Sequence, residues 1–405
     1  MNCKPWTVAL MSVGIVSLPA VIQAEEKPSP LQTAVAGTTI SGYVDTSAQW
    51  NIGHSGNNNL PLYTPNGAAG GTKADGFNLD VVELTISKAT GDEPWSAGYN
   101  ASLLFGPDAV GYNSSFMGGG NALGGNPDFG LKDTYVELTA PIGNQLHLKL
   151  GTFSSPLGSE VFEGANNPNY TRSYGYEIEP TQLTGGLLSY KFCDAFSASA
   201  GIANTWSAGV NTRANNNGPG FVNKPESFKA YVGDLALTAP TNWGSFSGST
   251  LNAGVVSGWD VANQVDKTSF YVGASINTPI TGVTVGVSYD YAMLGDNTIS
   301  GVKRTGYQNA TGIYLAYKAT DKLSFNTRAE YFSQSDYLVT AAAFNNSGVP
   351  GSAFEFTETV QYDLWKNVIS RVEFRWDHDA SGARSFTTDG ANNAFMVAAN
   401  LIYKF

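Results

Sequence analysis

The sequence carries too little charge and too few long apolar runs for several common classes of protein. Asp, Glu, Lys and Arg make up only 14% of its 405 residues, and its mean hydropathy is −0.14. A helical membrane protein needs about 20 nearly uninterrupted apolar residues for each span, which this composition does not supply. The formal charge is −11 and there is no basic run, so nucleic acid is not expected as a partner.

Cysteine and the motifs of common enzymes are also scarce. Only Cys3 and Cys193 occur, and Cys3 falls in a segment that is expected to be removed. Without an intramolecular disulfide, a closed and fully hydrogen-bonded barrel in lipid is one source of stability. The sequence has no Gly-x-Ser-x-Gly, no His-Glu-x-x-His and no cysteine pairs for zinc. No catalytic residue, cofactor or metal site is therefore expected.

The first 24 residues predict a secretory signal peptide. Lys4 supplies the positive charge, Trp6–Leu18 the apolar stretch and Ile22–Ala24 a small-residue cleavage site. A single anchoring helix is the other interpretation, but Pro19 interrupts the stretch, which is short for a span. Residues 25–37 follow as a polar, proline-containing lead-in.

From Thr38 to the C-terminus the sequence predicts an all-β fold. No long segment has apolar residues at helical spacing. Sixteen strands are expected, at about 38–50, 76–89, 95–106, 128–140, 144–153, 181–192, 195–206, 226–239, 247–258, 268–278, 282–293, 307–319, 322–333, 353–364, 367–378 and 394–405.

The connections between these strands alternate between short and long. The expected short turns are 90–94, 141–143, 193–194, 240–245, 279–282, 320–321 and 365–366, and long connections such as 51–75, 106–127, 154–180 and 207–225 lie between them. Bacterial outer-membrane barrels show this parity, with short periplasmic turns and long outer loops. The sequence therefore predicts a transmembrane antiparallel up-and-down β-barrel of about sixteen strands in the outer membrane.

Within the strands, polar and apolar residues alternate. In Arg371–Asp377 the charges fall on one face and the hydrophobic residues on the other, and Leu323–Tyr331 shows the same pattern. Successive strand residues point to opposite faces, so one face meets lipid and the other meets water. The alternation breaks at Val81–Val82 and Asp133–Val136, which indicates bulges, and Glu358 falls on the lipid face.

The inward-facing charges are expected to line a wetted pore wall and to influence ion preference. The acidic excess lies mostly on loops and on the lead-in, which favours cations. In the alternative interpretation, about half of these charges only pair across strands. The residues are His147, Lys149, Arg328, Glu330, Arg371, Glu373, Arg375 and Asp377.

Aromatic residues near the strand ends are expected to form two interfacial girdles in contact with outer-membrane lipid. They are Trp50, Trp95, Trp206, Trp259, Trp365, Tyr403 and Phe405.

The C-terminal segment carries a resemblance to outer-membrane proteins as a group. In Phe395–Phe405 every odd position except Ala399 is apolar and large, and the chain ends on Phe405. This strand resembles the signal that the barrel-assembly machinery recognises. The resemblance implies that this machinery is a partner of the chain.

The chain resembles the OmpL-like porins over nearly all of its length after the predicted signal peptide, and three short motifs carry the resemblance. They are Gly42–Asp45, Asp133–Leu138 and Gly151–Phe153, and Val-Glu-Leu-Thr occurs at both 82–85 and 136–139. The resemblance implies a porin that forms a water-filled channel for small hydrophilic solutes, with ions first and sugars second. It leaves the oligomeric state open, with a homotrimer as one option.

The resemblance also implies a role for the third long connection, residues 154–180. In similar porins this loop folds inward and narrows the lumen. Opposed acids and arginine would then impose a transverse field, and tyrosines could stack on sugar rings. The other interpretation is an exposed loop that covers the barrel mouth. The residues concerned are Glu160, Glu163, Tyr170, Arg172, Tyr174, Tyr176 and Glu177.

Three other functions stay open on the sequence alone. The first is a structural or adhesive barrel with a plugged lumen and partner-binding loops. The second is a barrel-embedded hydrolase at His378, which lies between Asp377 and Asp379 but has no accompanying nucleophile motif. The third is a soluble carbohydrate-binding β-protein.

Overall fold

The computed structural model describes residues 37–52, 75–91, 93–112, 129–207, 209–215, 224–299, 302–335, 350–384, 386 and 391–405. The predicted signal peptide and nearly all of the lead-in lie outside the described residues, so both stay predictions. Sixteen antiparallel strands form one closed barrel, in which each strand pairs with its neighbours in sequence and the last pairs with the first. The prediction of a sixteen-stranded all-β barrel is confirmed.

The strands have the following bounds. They are β1 Thr39–Ile52, β2 Gly76–Lys88, β3 Ser96–Phe105, β4 Phe129–Ala140, β5 Leu146–Ser154, β6 Gln182–Cys193, β7 Phe196–Ala203, β8 Ala230–Thr238, β9 Thr250–Asp260, β10 Val265–Asn277, β11 Val283–Ile299, β12 Val302–Lys318, β13 Leu323–Gln334, β14 Ser352–Trp365, β15 Val368–Asp379 and β16 Asn393–Lys404. A single helical turn, α1 Tyr174–Ile178, lies between β5 and β6, and 3-10 turns occur at Pro107–Tyr112, Gly164–Asn166 and Thr241–Phe246. Among the described residues, none of these helical segments is long and apolar enough to span a membrane.

Both predicted breaks in alternation correspond to bulges. The β1–β2 register shifts between Asp45 and Thr46, opposite the segment that leads into Val81. The β3–β4 register shifts between Ala101 and Leu103, so that Lys132 and Asp133 of β4 lie opposite the single residue Ser102 of β3. A bulge adds a residue to one strand and re-aims the side chains next to it. Next to the second bulge, Asp133 bonds Ser154 at the start of the third long connection, and Lys132 is ion-paired with Glu163 inside it.

The strict alternation of short and long connections is wrong in two places. Only residues 261–264 join β9 to β10, and only residues 300–301 join β11 to β12. The strands here continue farther than the sequence pattern indicated, because their polar ends still complete the hydrogen-bonded ladder. On the opposite rim, the connection after β8 runs from 239 to 249 and includes a 3-10 turn.

The outer face of the barrel is apolar along most strands. Exposed large hydrophobic residues alternate with buried polar residues, as in the β14 run of Phe354, Glu355 and Phe356. Trp50, Trp95, Trp365, Tyr403 and Phe405 are all exposed, as expected for girdle aromatics.

Trp206 and Trp259 do not belong to the girdles, which corrects the sequence prediction. Trp206 follows β7, turns into the barrel and donates from Nε1 to Ser269 Oγ at 3.0 Å. Lys267 Nζ lies 3.7 Å from the centre of its ring. Trp259 is only 1% exposed, with Lys224 Nζ 5.0 Å from its ring centre. Long-range contacts of the loop after β7 bury both rings, and a strand-end position alone does not predict them.

Glu358 lies on the lipid face in the middle of β14, as the sequence pattern indicated. Its neighbours on that face are Phe356 and Val360, and Phe374 is its register partner on β15. Thr327 Oγ1 donates to Glu358 Oε2 at 2.6 Å.

Replacing Glu358 with leucine is expected to stabilise the barrel by about 1–2 kcal/mol, because an acid on the lipid face is unfavourable at this depth. Denaturant unfolding of the protein refolded into liposomes measures this change. Thr327→Val is the matched control, since it removes the hydroxyl donor and keeps the carboxyl group. A less stable Glu358→Leu variant would mean that the carboxylate makes a favourable contact on the outer surface.

Candidate pore constriction

The connection between β5 and β6, residues 155–181, lies against the inner face of the barrel over much of its circumference. We call this segment the third loop. Leu157 packs into an apolar cluster with inward residues of β5 to β10, namely Phe153, Leu183, Leu187, Ala203, Val232, Val256 and Tyr271, together with Trp206. Phe162 packs on the other side of the barrel, against Tyr43, Val81, Leu104, Ile369 and Ile402. The loop therefore crosses the barrel interior.

The second half of the third loop packs against a third wall. Tyr174 and Ile178 of α1 join Ala310, Phe332, Ala353, Phe386 and Ala394 in one buried cluster. Tyr170 contacts Met396 and Ala398 of β16. Its hydroxyl donates to Ser47 Oγ of β1 at 2.9 Å. These contacts join β12 to β16 and β1 through a single loop.

Two strand carboxylates bind consecutive backbone amides of the third loop. Glu373 of β15 accepts from the N–H groups of Tyr170 (2.6 Å) and Thr171 (2.9 Å). Glu330 of β13 accepts in the same way from Tyr174 (2.5 Å) and Gly175 (2.8 Å). Hydrogen bonds from N–H groups to an ionised acceptor are stronger than neutral ones. The two carboxylates therefore fix the loop backbone at points four residues apart.

Three strand arginines bind backbone carbonyl groups of the same loop. Arg328 Nη1 donates to the Thr171 carbonyl at 2.8 Å, and Arg375 Nη1 donates to the Arg172 carbonyl at 2.6 Å. Arg371 donates to the carbonyls of Gly164 (2.8 Å) and Asn167 (2.7 Å). The guanidinium groups and carboxylates of the wall thus satisfy both donors and acceptors of the loop backbone.

Arg328 also joins the loop to a neighbouring strand through two ion pairs. Its Nη1 lies 2.9 Å from Glu160 Oε1 of the loop, and its Nε lies 3.1 Å from Glu355 Oε2 of β14. All three side chains are no more than 2% exposed. Removing one partner of a buried ion pair is strongly destabilising, by about 3–5 kcal/mol. Arg328 is therefore central to this arrangement.

The inward-facing strand charges have a different role from the one that the sequence predicted. Arg328, Glu330, Arg371, Glu373, Arg375 and Asp377 all face the interior, but each is less than 5% exposed. They do not line water because the third loop covers them. His147 and Lys149 of β5, by contrast, remain partly exposed on the inner wall.

The acids and the arginine of the third loop do not face each other across open water. This corrects the prediction that they impose a transverse field on the lumen. Arg172 donates to carbonyls of its own loop, at Val161 (3.0 Å) and Phe162 (2.7 Å). Glu160 accepts from the Ser173 N–H at 2.9 Å, and Glu163 is ion-paired with Lys132. The hydrogen bonds and the ion pair of these side chains stabilise the conformation of the loop.

The loop tyrosines are also buried instead of being available for sugar stacking. Tyr170, Tyr174 and Tyr176 are between 4% and 6% exposed. Glu177 lies beside them, and burial raises its pKa well above the ordinary value of a glutamate. Dense packing of this kind needs partners from distant strands, which the loop sequence alone does not reveal.

The partly exposed inner wall is centred on β4 and β5. His147 Nδ1 lies 3.2 Å from Glu137 Oε1, with side chains 35% and 23% exposed. Lys149 Nζ lies 4.7 Å from the centre of the Tyr135 ring. Both strands meet at the short turn 141–145, so this wetted wall lies in the half of the barrel nearest the short turns.

Several residues that organise the loop were missed by sequence reasoning. Asp133 accepts from the Ser154 N–H at 2.6 Å and so fixes the start of the loop. The broken alternation at Asp133 was the available signal. Glu355 and Asp290 follow the ordinary inward parity of their strands. No feature of the neighbouring sequence distinguishes them from inward residues that face water.

His378 and a concave surface on the barrel exterior lie away from this interior. Asp377 and Asp379 are buried on the inner face, whereas His378 has the opposite parity and contacts Asn393 Oδ1 at 2.9 Å. The acid–base arrangement that the hydrolase alternative requires is therefore split between two faces of the sheet. The concave surface, of about 740 Å³, is lined by outward residues such as Leu188, Ala200, Leu235 and Val255, which suits it to lipid.

Comparisons with known proteins agree with this architecture. Residues 37–405 match the model of the beta-barrel porin-2, OmpL-like family. No curated protein matches the chain in sequence.

Solved outer-membrane channels share the fold at low sequence identity. The channel DcaP of Acinetobacter baumannii is 13% identical with a TM-score of 0.58, over 91% of this chain and 97% of that one. An anion-selective porin from Comamonas acidovorans is 11% identical with a TM-score of 0.57, over 91% and 99%. OmpF of Salmonella typhi, solved with daunomycin, is 13% identical with a TM-score of 0.57, over 91% and 97%. The chain belongs to the OmpL-like family of β-barrel porins of the bacterial outer membrane.

Proposed function

We propose that this porin passes small hydrophilic solutes, with ions first and small sugars second, by passive diffusion, and that its third loop sets the width of the passage. The observation that carries the proposal is the loop itself, bonded to the inner wall through Arg328, Glu330 and Glu373. A barrel of sixteen strands is wide enough to hold an aqueous channel. A loop bonded across it leaves a narrower passage along the partly exposed wall at Glu137, His147 and Lys149.

Recording from the purified full chain in planar bilayers tests the proposal. Stepwise conductance is expected, together with a reversal potential under a salt gradient that reports the net preference for cations or anions. Liposome swelling with sugars of increasing size then gives the size limit. A protein that inserts and stays electrically silent would contradict a diffusion channel.

A structural barrel with a plugged lumen is the second candidate. The observation in its favour is the apolar cluster around Leu157 and Trp206, which fills part of the interior with side chains that exclude water. This alternative predicts an electrically silent wild-type protein whose outer loops bind a partner. Deleting an outer loop would then abolish binding and leave solute uptake unchanged.

Two partners belong to the same proposal. The C-terminal strand, with outward Leu401 and Tyr403 before Phe405, is proposed to engage the barrel-assembly machinery. A homotrimer is proposed as the assembly, supported by the apolar outer face and by Glu358, an acidic residue in the middle of that face. Deleting Phe405 and measuring insertion tests the first. Native mass spectrometry of the detergent-extracted protein tests the second.

A further inference from the structure

Two carboxyl groups meet where the third loop returns to the barrel wall. Glu179 follows α1 near the end of the loop, and Asp290 lies on the inner face of β11. They are 8% and 2% exposed, and the two side chains lie within hydrogen-bonding reach of each other. An ionised carboxylate only accepts hydrogen bonds, so one member of such a pair must carry a proton.

The loop backbone encloses this pair on two sides. A Cβ atom on Gly158 would lie 2.1 Å from Glu179 Oε2, and one on Gly175 would lie 2.6 Å from Asp290 Oδ2. Gly158 also has a φ of +112°, which disfavours other residues. Since both glycines belong to the third loop, the carboxyl pair forms part of the surface on which the loop docks.

The strongest electrostatic effects on Glu179 come from other acids. Asp290 acts most strongly, followed by Glu160 of the loop and Glu330 of β13. Tyr271 of β10 and Tyr314 of β12 also face the site, and Tyr314 donates its hydroxyl to Glu160 Oε1 at 3.3 Å. Arg328 is the cation bonded to Glu160.

Burial and these acids together determine the sign of the effect of pH. Burial is the largest cause and raises the pKa of Glu179 well above the ordinary value of a glutamate. A group whose pKa is raised in the docked state stabilises that state fully below its ordinary pKa. The stabilisation is lost as pH rises through the raised value.

We propose that Glu179 and Asp290 share one proton, which latches the end of the third loop to β11. The loop is held most firmly at low pH. As pH rises the proton leaves, two buried carboxylates repel each other, and the loop moves away from the wall. The inference rests on the proposed function in one respect, since loop movement changes conductance only if the loop narrows an open channel.

Conductance across a pH series tests the latch with the full chain in planar bilayers. Between pH 5 and pH 9, the wild-type protein is expected to show rising mean conductance and rising open-channel noise. Glu179→Gln should abolish this dependence, because the amide donates a hydrogen bond to Asp290 without a titrating proton. Glu226→Gln is the matched control: it removes an exposed glutamate outside the third loop and the inner wall, and it should keep the wild-type dependence.

Hydrogen exchange gives a readout that does not need an open channel. Protection of the Tyr174 and Gly175 amides, corrected for intrinsic exchange, should fall by about tenfold for each unit by which the pKa is raised. The fall should be absent in Glu179→Gln. Wild-type protection that does not change with pH would overturn the latch. A silent channel with pH-dependent protection would overturn the proposed function and leave the latch standing.

A bound divalent cation is the competing explanation for two adjoining carboxylates. Chelation with EDTA distinguishes the bound cation from the shared proton. No change in wild-type conductance or protection at pH 6 is expected for a shared proton. If EDTA releases the loop in the wild type and has no effect in Glu179→Gln, a cation occupies the site and the shared proton is wrong.

Discussion

Arg328→Met is expected to increase the population of undocked third loop by about two to three and a half orders of magnitude. The substitution removes the guanidinium group between Glu160 and Glu355 and leaves both carboxylates buried. Breaking a buried ion pair in this way destabilises by about 3–5 kcal/mol, and each 1.4 kcal/mol changes an equilibrium about tenfold. Bonds to the carbonyls of Thr171 and Arg172 are lost at the same time. Methionine keeps the length of the apolar stem, so the barrel wall itself should remain packed.

Single-channel recording measures this effect as higher conductance and greater open-channel noise, and liposome swelling measures it as a larger size limit. Lys149→Met is the matched control, because it also removes one cation from the interior, and the ring of Tyr135 is its described neighbour. The control should shift the reversal potential and leave noise and size limit unchanged. An Arg328→Met channel with wild-type noise and size limit would mean that the loop does not control the passage.

The barrel could be predicted from the sequence because its main signals are local. Alternation along Arg371–Asp377 and Leu323–Tyr331 needs only the period of a strand, and it gave the correct inward and outward faces. The two bulges were indicated by local breaks at Val81 and Asp133. The short connections after β9 and after β11 could not be predicted in this way. Strand extension there depends on pairing with the neighbouring strand and not on apolar character.

The role of the inward charges could not be predicted for a related reason. Alternation shows that Arg328 faces inward, but not whether it meets water or another part of the chain. Its partner Thr171 lies 157 positions away in the sequence. The same limit applies to Glu179 and Asp290, which meet only because the loop crosses the barrel. Direction is a local property of a strand, whereas the contact partner is a property of the whole fold.

Leu157→Asp is expected to have the second largest effect, because it places a carboxylate in the apolar cluster that holds the first part of the third loop. Leu157 is 5% exposed and packs with Phe153 and Tyr271. Burying an unpaired charge is unfavourable by several kcal/mol, and the lost leucine contacts add about 2–5 kcal/mol. Because both penalties vanish when residue 157 moves into water, this half of the loop should leave the wall while the Glu330 and Glu373 contacts hold the other half.

Asn166→Asp is the matched control, since it adds the same charge at an exposed residue of the same loop, nine positions along. Its conductance should stay close to that of the wild type, whereas Leu157→Asp should show a larger size limit for sugars. Exchange of the amides at Tyr174 and Gly175 should be unchanged in both variants, which distinguishes partial release from loss of the whole loop. Wild-type sugar permeability in Leu157→Asp would show that the passage does not run beside this cluster.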